Sequence, residues 1–267
     1  MKKEIFLKML VIIIFMAIYQ NNILSQEYDG IPCSFGKNLN FDSKILSKIK
    51  ENKSSLELQE PFSTSDPVHY QDWASSQLKS EYTGKINKLK SPTSGKFEIN
   101  DPSDVRKSCM YSAASIVDNN KNTAWAEGVE GDGIGEMVFV HLDLDRKLKI
   151  WSGFGKNDNL FKANNRPDLI GIHLLIANKC SGAQDTDIYS NFTYVGSFDY
   201  KLDDLNDYQK LVIPKNLLKE YKSIINKNKI FYDCYKKNIN SFLIIEIKSV
   251  YKGTKYSDTL ISEIAYD

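Results

Sequence analysis

The hydrophobic pattern reads mainly as short strands. In Glu136–Asp145, EMVFVHLDLD, alternation puts Val138, Val140, Leu142 and Leu144 on one side and predicts a strand with one buried face. Leu169–Ala177, LIGIHLLIA, and Phe242–Ile247 are apolar without alternation, which predicts strands buried on both sides. Thr259–Tyr266 predicts another strand. Helical period is weak; Pro214–Tyr221 shows it best, with Leu217, Leu218 and Tyr221 behind a proline start. Gln26–Tyr70 is polar and rich in Ser, Lys and Asn, and reads as a leader or linker. Within it, Asp42 or Ser43 is placed to cap a short helix carrying Ile45, Leu46 and Ile49 on one side. Gln77–Cys109, with Gly84, Pro92, Gly95 and Pro102, reads as a long excursion between early strands. Short strands separated by loops, with no internal repeat, predict an all-β sandwich.

The first residues change the picture of where the protein works. Lys2, Lys3 and Lys8 precede an apolar run, Leu10–Ile18, and Ser25 is a small residue before a cut. That is the form of a secretory signal peptide over residues 1–25, and the run is short for a membrane-spanning helix. The expectation is a protein secreted or held in a bacterial cell envelope or periplasm. It has a polar segment at 26–70 and one β domain at 71–267. Lys and Arg number 35 against 34 Asp and Glu, so charge does not point to nucleic acid. Four cysteines, Cys33, Cys109, Cys180 and Cys234, suggest up to two disulfides in an exported chain. Three pairings are open, and Cys180 with Cys234 is preferred. Asn191-Phe192-Thr193 has the form of a glycosylation acceptor.

The candidate chemistry gathers around TAWAEGVEGDGIGE, Thr123–Glu136, with glycines at 128, 131, 133 and 135. A phosphate loop should open a helix, and these glycines run into a strand. No Gly-Lys-Ser/Thr end follows, and Glu127, Glu130, Asp132 and Glu136 repel phosphate, so a nucleotide is excluded as ligand. Asp118-Asn119-Asn120-Lys121-Asn122-Thr123 supplies hard oxygens suited to calcium, with an ordinary Asn-rich turn as the alternative.

Several separated runs then become specific. They are Ala114–Asp118, Thr123-Ala124-Trp125, Glu127-Gly128-Val129, Gly131–Glu136, Asn164-Asn165-Arg166-Pro167, Val250–Thr259 and Ile261-Ser262-Glu263-Ile264. Together they resemble the discoidin-like, coagulation factor 5/8 type C domain of the NAD glycohydrolase translocation family. The resemblance runs from about Trp73 to Asp267, with Ala74-Ser75-Ser76 as opening strand and the polar leader outside it. It implies a galactose-binding-like jelly-roll that recognises a glycan or a host or cell-surface component. It also implies a structural calcium, for which Asp118, Asn120, Thr123 and Glu263 are the matching positions. Two departures stand out. Asn119 replaces a family glycine in the turn, where Asn tolerates left-handed geometry, and Met137 stands where the family often has an aromatic. The matched stretch fills the chain to its end, so a non-enzymatic module without NADase activity is expected.

The resemblance and the residue types together select the candidate ligand residues Trp151, Asn164, Asn165, Arg166, Tyr251, Tyr256, Asp258 and Glu127. Each has a structural alternative. Trp151 is a loop platform or a packed side chain, whereas Trp125 is expected in the core. Asn165 and Arg166 bind ligand or pin a loop through Glu127 or Glu136. Tyr251, Tyr256 and Asp258 form a rim or a packed hairpin. His141 and His173 are expected as satisfied side chains; His69 is far from both in sequence. Pro214–Lys237 holds seven lysines against Glu220 and Asp233, either a solvated helix or a contact for anionic glycan or lipid. The functional alternatives are a protein-binding adhesin, a glycoside hydrolase using the acidic loop, and an envelope protein without ligand.

Overall fold

Two antiparallel sheets carry the chain's apolar runs. A computed structural model describes residues 36–37, 41, 44–61, 70, 73–80, 109–183, 186–227, 231–233 and 240–267. The larger sheet has the order β2-β8-β7-β11-β5, built from Glu57–Pro61, Thr186–Lys201, Arg166–Ala183, Ser241–Tyr251 and Met137–His141. A short β10, Phe231–Asp233, runs parallel to the end of β7. The smaller sheet has the order β4-β12-β6-β9, from Trp125–Ala126, Leu260–Tyr266, Leu148–Ser152 and Gln209–Leu211. Two-residue strands β1 (Gly36–Lys37) and β3 (Ser76–Gln77) pair with each other. The described residues cluster as one compact unit. The all-β sandwich expected from the sequence is present. The expected signal peptide, His69, most of the Gln77–Cys109 excursion and Cys234 lie outside the described residues. Cys109 and Cys180 are both buried and both disulfide-bonded.

The cross-strand register explains why the long apolar strands lack alternation. Val138, Ile245 and Ile172 stand side by side, as do Val140, Leu243 and Leu174, and these rows share one buried face. The opposite face carries Phe139, Ile244 and His173, then His141, Phe242 and Leu175. That face is also buried: Phe139 and Phe242 are 1% and 0% exposed. Its cover comes from the N-terminal segment. Phe41 packs on Phe139 with ring centroids 5.1 Å apart, and Trp73 packs on Phe242 at 5.8 Å. Ile45 and Ile49 of the helix α1 (Ile45–Lys50) are buried in the same core.

Two expectations are corrected here. The polar segment read as a linker supplies the edge strand β2, the helix α1 and core residues Phe41, Ile45, Ile49 and Leu58. Phe41, Ile45, Ile49 and Leu58 are all buried, so the polar composition understates the segment's role. The strand expected over Glu136–Asp145 with one buried face is β5, Met137–His141, and Met137–Val140 are buried on both faces. Leu142 and Leu144 are buried beyond its end.

The two histidines on this face are matched. His141 Nδ1 lies 2.8 Å from Glu60 Oε2, and His173 Nε2 lies 3.1 Å from Glu246 Oε2. Both histidines thus sit in side-chain pairs, as the sequence suggested. The expected helix near Pro214 is α3, Lys215–Lys227, with Tyr221 buried and Leu217 and Leu218 packed against the core. Among the described residues, no helix is long and apolar enough to cross a membrane.

Trp73→Ala tests the cover directly. It removes the Phe242 contact and the indole hydrogen bond to the Gln59 carbonyl, 3.0 Å long. A loss of about 3–5 kcal/mol in urea unfolding is expected. A loss below about 1 kcal/mol, the range of surface changes, contradicts this role.

Candidate functional site

The turn before β4 and the middle of β12 meet at Glu263. Asn119 adopts φ 58°, so the left-handed turn expected of an Asn in this place is formed. It turns the Asn120 N–H toward two carboxylates: Asp118 Oδ1 accepts it at 2.9 Å and Glu263 Oε2 at 3.0 Å. Thr123 Oγ1 donates to Asp118 Oδ2 and to the Asn120 carbonyl, each at 2.7 Å. The four residues selected from the sequence are therefore adjacent. Glu263 is fully buried, and its Oε1 has no hydrogen-bond partner. Burial, and then the Asp118 charge, push its carboxyl up to about 8.

That is an energetically poor arrangement for the bare chain. A buried carboxylate oxygen with no donor, beside a second carboxylate, disfavours ionisation. The donor set, two carboxylates with Thr and backbone oxygens close by, fits a hard cation. Among the described residues no group of three or more His, Cys, Asp or Glu gathers, so any cation here relies on Asn, Thr and carbonyl oxygens as well.

Next to this turn, Trp151 pairs across the sheet with Glu263. It is only 6% exposed. Its indole N–H donates to Asn206 Oδ1 at 3.1 Å, Lys121 Nζ sits 4.7 Å from its ring, and Tyr208 meets it edge-on at 4.9 Å. The loop-platform reading of Trp151 is therefore corrected: the ring is a packed floor. Trp125 is in the core as expected, donating its N–H to the Ser76 carbonyl.

The glycine-rich stretch is fastened to the start of β12. Glu127 Oε1 accepts the Thr259 N–H at 3.1 Å, and Oε2 accepts the Val129 N–H at 2.9 Å. Gly133, at φ 66°, lies against this side chain; a Cβ there would sit 2.3 Å from Glu127 Cγ. Glu127 is fully buried, and burial pushes its carboxyl up to about 7. Burial also raises the Asp258 carboxyl.

Asn165 closes the same corner. Its Nδ2 donates to Asp132 Oδ1 at 2.9 Å and to the Ser257 carbonyl at 2.7 Å, and its Oδ1 accepts the Gly253 N–H at 2.7 Å. Lys252 pairs with Asp132. Asn165 thus joins three pieces: the glycine stretch, the 252–258 hairpin and the start of β7. Asn164 turns inward, donating to the Leu160 carbonyl at the end of α2, Asp158–Ala163. Arg166 grips Asp204 with Nε at 2.8 Å and Nη2 at 2.6 Å, and donates to the Asn164 and Lys252 carbonyls. It pins a loop, as one reading held, but its acid is Asp204 and neither Glu127 nor Glu136. Glu136 is taken by Ser75. Tyr251 donates to the Leu202 carbonyl.

Two large apolar side chains on the joined loops are open to solvent. Tyr256 is 41% exposed and Ile134 is 55% exposed. Each lies within two residues of an Asn165 contact, at Ser257 and Asp132. Sequence reasoning missed Asp132, Thr259, Asp204, Asn206 and Tyr208 as partners. Asp132 was visible as one of the acids in the glycine stretch; the others carry no spacing signal.

The sequence profile described as the NAD glycohydrolase translocation F5/8 type C domain matches residues 91–267. The chain belongs to this family. No curated protein matches it. Among solved structures it is similar to a mycobacterial arabinofuranosyltransferase AftD, at 12% identity, TM-score 0.30, over 59% of this chain and 9% of that one. It is also similar to a Ruminococcus gnavus GH29 fucosidase in complex with fucose, at 9% identity, TM-score 0.25, over 59% of this chain and 22% of that one. The chain thus spans a small part of either neighbour.

The raised carboxyls fix a pH dependence. Glu127 and Glu263 move from an ordinary 4.5 to about 7 and about 8. Below pH 4.5 both states hold the protons. As pH rises toward 7 and 8, the unfolded chain ionises first, so stability is lost across that window. In chelator, the melting temperature should fall from pH 5 to 8, and fall less in Glu127→Gln. Parallel curves for the two proteins would contradict the burial cause.

Proposed function

We propose that the chain is an exported, non-catalytic carbohydrate-binding module of the surface adhesion or translocation type. Membership of an F5/8 type C family supports the class. The observation that carries the reading is the Asn165 junction, which holds two loops in one geometry and leaves Tyr256 exposed on one of them. An exposed aromatic on a loop fixed by hydrogen bonds offers a flat apolar face to a pyranose ring at little ordering cost. The signal-peptide form of residues 1–25 supports export to the bacterial surface or envelope. The NAD glycohydrolase in the family's description names the family, and no NADase activity is assigned to this chain.

A hydrolase reading meets a specific obstacle. Glu127, raised to about 7, has the titration of a general acid. Yet it is 0% exposed and both of its oxygens accept backbone N–H groups, so it does not reach a substrate. The geometry favours a structural task for it.

Calcium belongs to the same proposal. Asp118 and Glu263 would hold it through side chains, with Asn120 and Thr123 contributing oxygens. When bound, it supplies the positive charge that lets both carboxylates ionise. The chain's own part is to bring the opening turn and the last strand to one point. At pH 8, saturating calcium should raise the melting temperature of the wild type and leave Asp118→Asn with Glu263→Gln unmoved. Identical melting with calcium and with chelator overturns the site.

A glycan array of the chain lacking residues 1–25, with and without calcium, tests the function. Binding to a defined glycan class, weakened about ten-fold or more by Tyr256→Ala, is expected. Silence across glycans with binding to matrix proteins would select the adhesin reading instead.

A further inference from the structure

A concave site lies away from the loops just described. β12 starts beside Glu127 and Asn165 and ends at Tyr266, roughly 20 Å along at strand rise. Around that far end, the start of β6, the end of β9 and the entry to α3 enclose a cavity of about 370 Å³. That is within the range of small-molecule sites. Its floor is apolar: Leu144, Leu148 and Leu211 are buried, and Leu218 completes it. Val212 lines it while 61% exposed, so apolar surface continues to the mouth.

The rim is cationic. Lys147 and Lys210 line the cavity and make no ion pair among the described residues. Arg146 is held flat, its guanidinium carbon 3.5 Å from the centre of the Tyr266 ring, which leaves its edge N–H groups free to donate. Two acids also line the site. Asp145 is neutralised by Lys222 at 2.8 Å, and Asp267 opposes the cations. With Lys222 counted, four cations stand against two side-chain carboxylates.

We propose that this cavity binds a small amphiphile: one acyl chain in the leucine-lined floor and an anionic head on Lys147, Lys210 and Arg146. The apolar floor alone would accept a neutral chain. The unpaired cations at its edge select an anion, because a charge-assisted contact is stronger than a neutral one. The volume gives room for about ten chain carbons at a water-like share of space each. A free fatty-acid anion and a single-chain phospholipid share this chemistry. The proposal is independent of the glycan reading, since it uses none of the same loops.

The test is calorimetric titration of the full chain with decanoate below its micelle concentration, against decanol. Saturable decanoate binding, about ten-fold tighter than decanol, is expected. Lys210→Glu, on an exposed strand position, should weaken decanoate about ten-fold and leave melting unchanged. Leu218→Trp fills the floor and should abolish binding. A single-chain phosphatidylglycerol arm identifies the source by whichever of the two ligands binds tighter. No saturable decanoate binding overturns the proposal, as does equal affinity for decanol. So does unchanged binding in Leu218→Trp. Anionic vesicles held equally by wild type and Leu218→Trp, without decanoate binding, would show surface attraction instead.

Discussion

The structure depends on one constraint: its central strands are apolar on both faces. β7 is buried from Ile170 to Ala177, and β11 carries Phe242 to Ile245 with no exposed side chain among them. A sandwich of two sheets covers one face of each. The other face needs a third layer, and the chain supplies it from the polar segment and the first residues of the β domain. Phe41, the helix α1 and Trp73 lie on the aromatic rows, and β2 extends the sheet beside β8. Each aromatic so buried contributes about 1.5–3 kcal/mol, enough to offset the ordering of a segment that is otherwise polar. The pair Glu60–His141 follows from this. Once β2 covers the face, a polar group at Glu60 must find a partner inside.

The site inherits its rigidity from the same frame. β7 begins at Arg166, directly after Asn165, so a strand paired on both sides anchors the junction of the loops. The Arg166–Asp204 contact adds geometry more than stability. Asp204 is 41% exposed at its side chain, and solvent reduces such a pair to about 1 kcal/mol or less. The hydrogen bonds of Asn165 hold the junction itself: from a side chain 1% exposed, one reaches the glycine stretch and two reach the 252–258 hairpin. A loop held this way presents its exposed side chains, Tyr256 among them, on a backbone that is already ordered.

Much of this was legible in the sequence, in a particular way. Period and run length located β7, β11 and β12, because burial acts on every residue of a strand. The runs Asp118–Thr123 and Ile261–Ile264 pointed to the turn and its distant Glu263, which the fold brings within 3.0 Å of the Asn120 N–H. The cover was not legible, although its two halves were both in view. Strands buried on both sides were read from Leu169–Ala177, and a short apolar helix from Ile45, Leu46 and Ile49. Only a count of faces against layers joins them. Asp204 and Tyr208 were beyond reach for a different reason. They sit in LDDLNDY, a polar stretch whose partners are set by where β9 docks on β6, and docking leaves no period.

The glycine stretch shows why a composition motif misleads without its electrostatics. Four glycines in a short run suggest a cradle for an anion, but Glu127 stands among them with no solvent and two backbone donors. Those N–H groups are already spent on a carboxyl of the chain itself. Gly133 has no side chain because Glu127 occupies its place, not because a ligand approaches. The acid in turn fastens Thr259, whose hydroxyl donates to the Asp132 carbonyl, and Asp132 accepts Asn165. The stretch is therefore a cradle already filled by a carboxyl of the chain itself. Its consequence for recognition is indirect: it fixes the loop that carries Ile134 and, through Asn165, the hairpin that carries Tyr256.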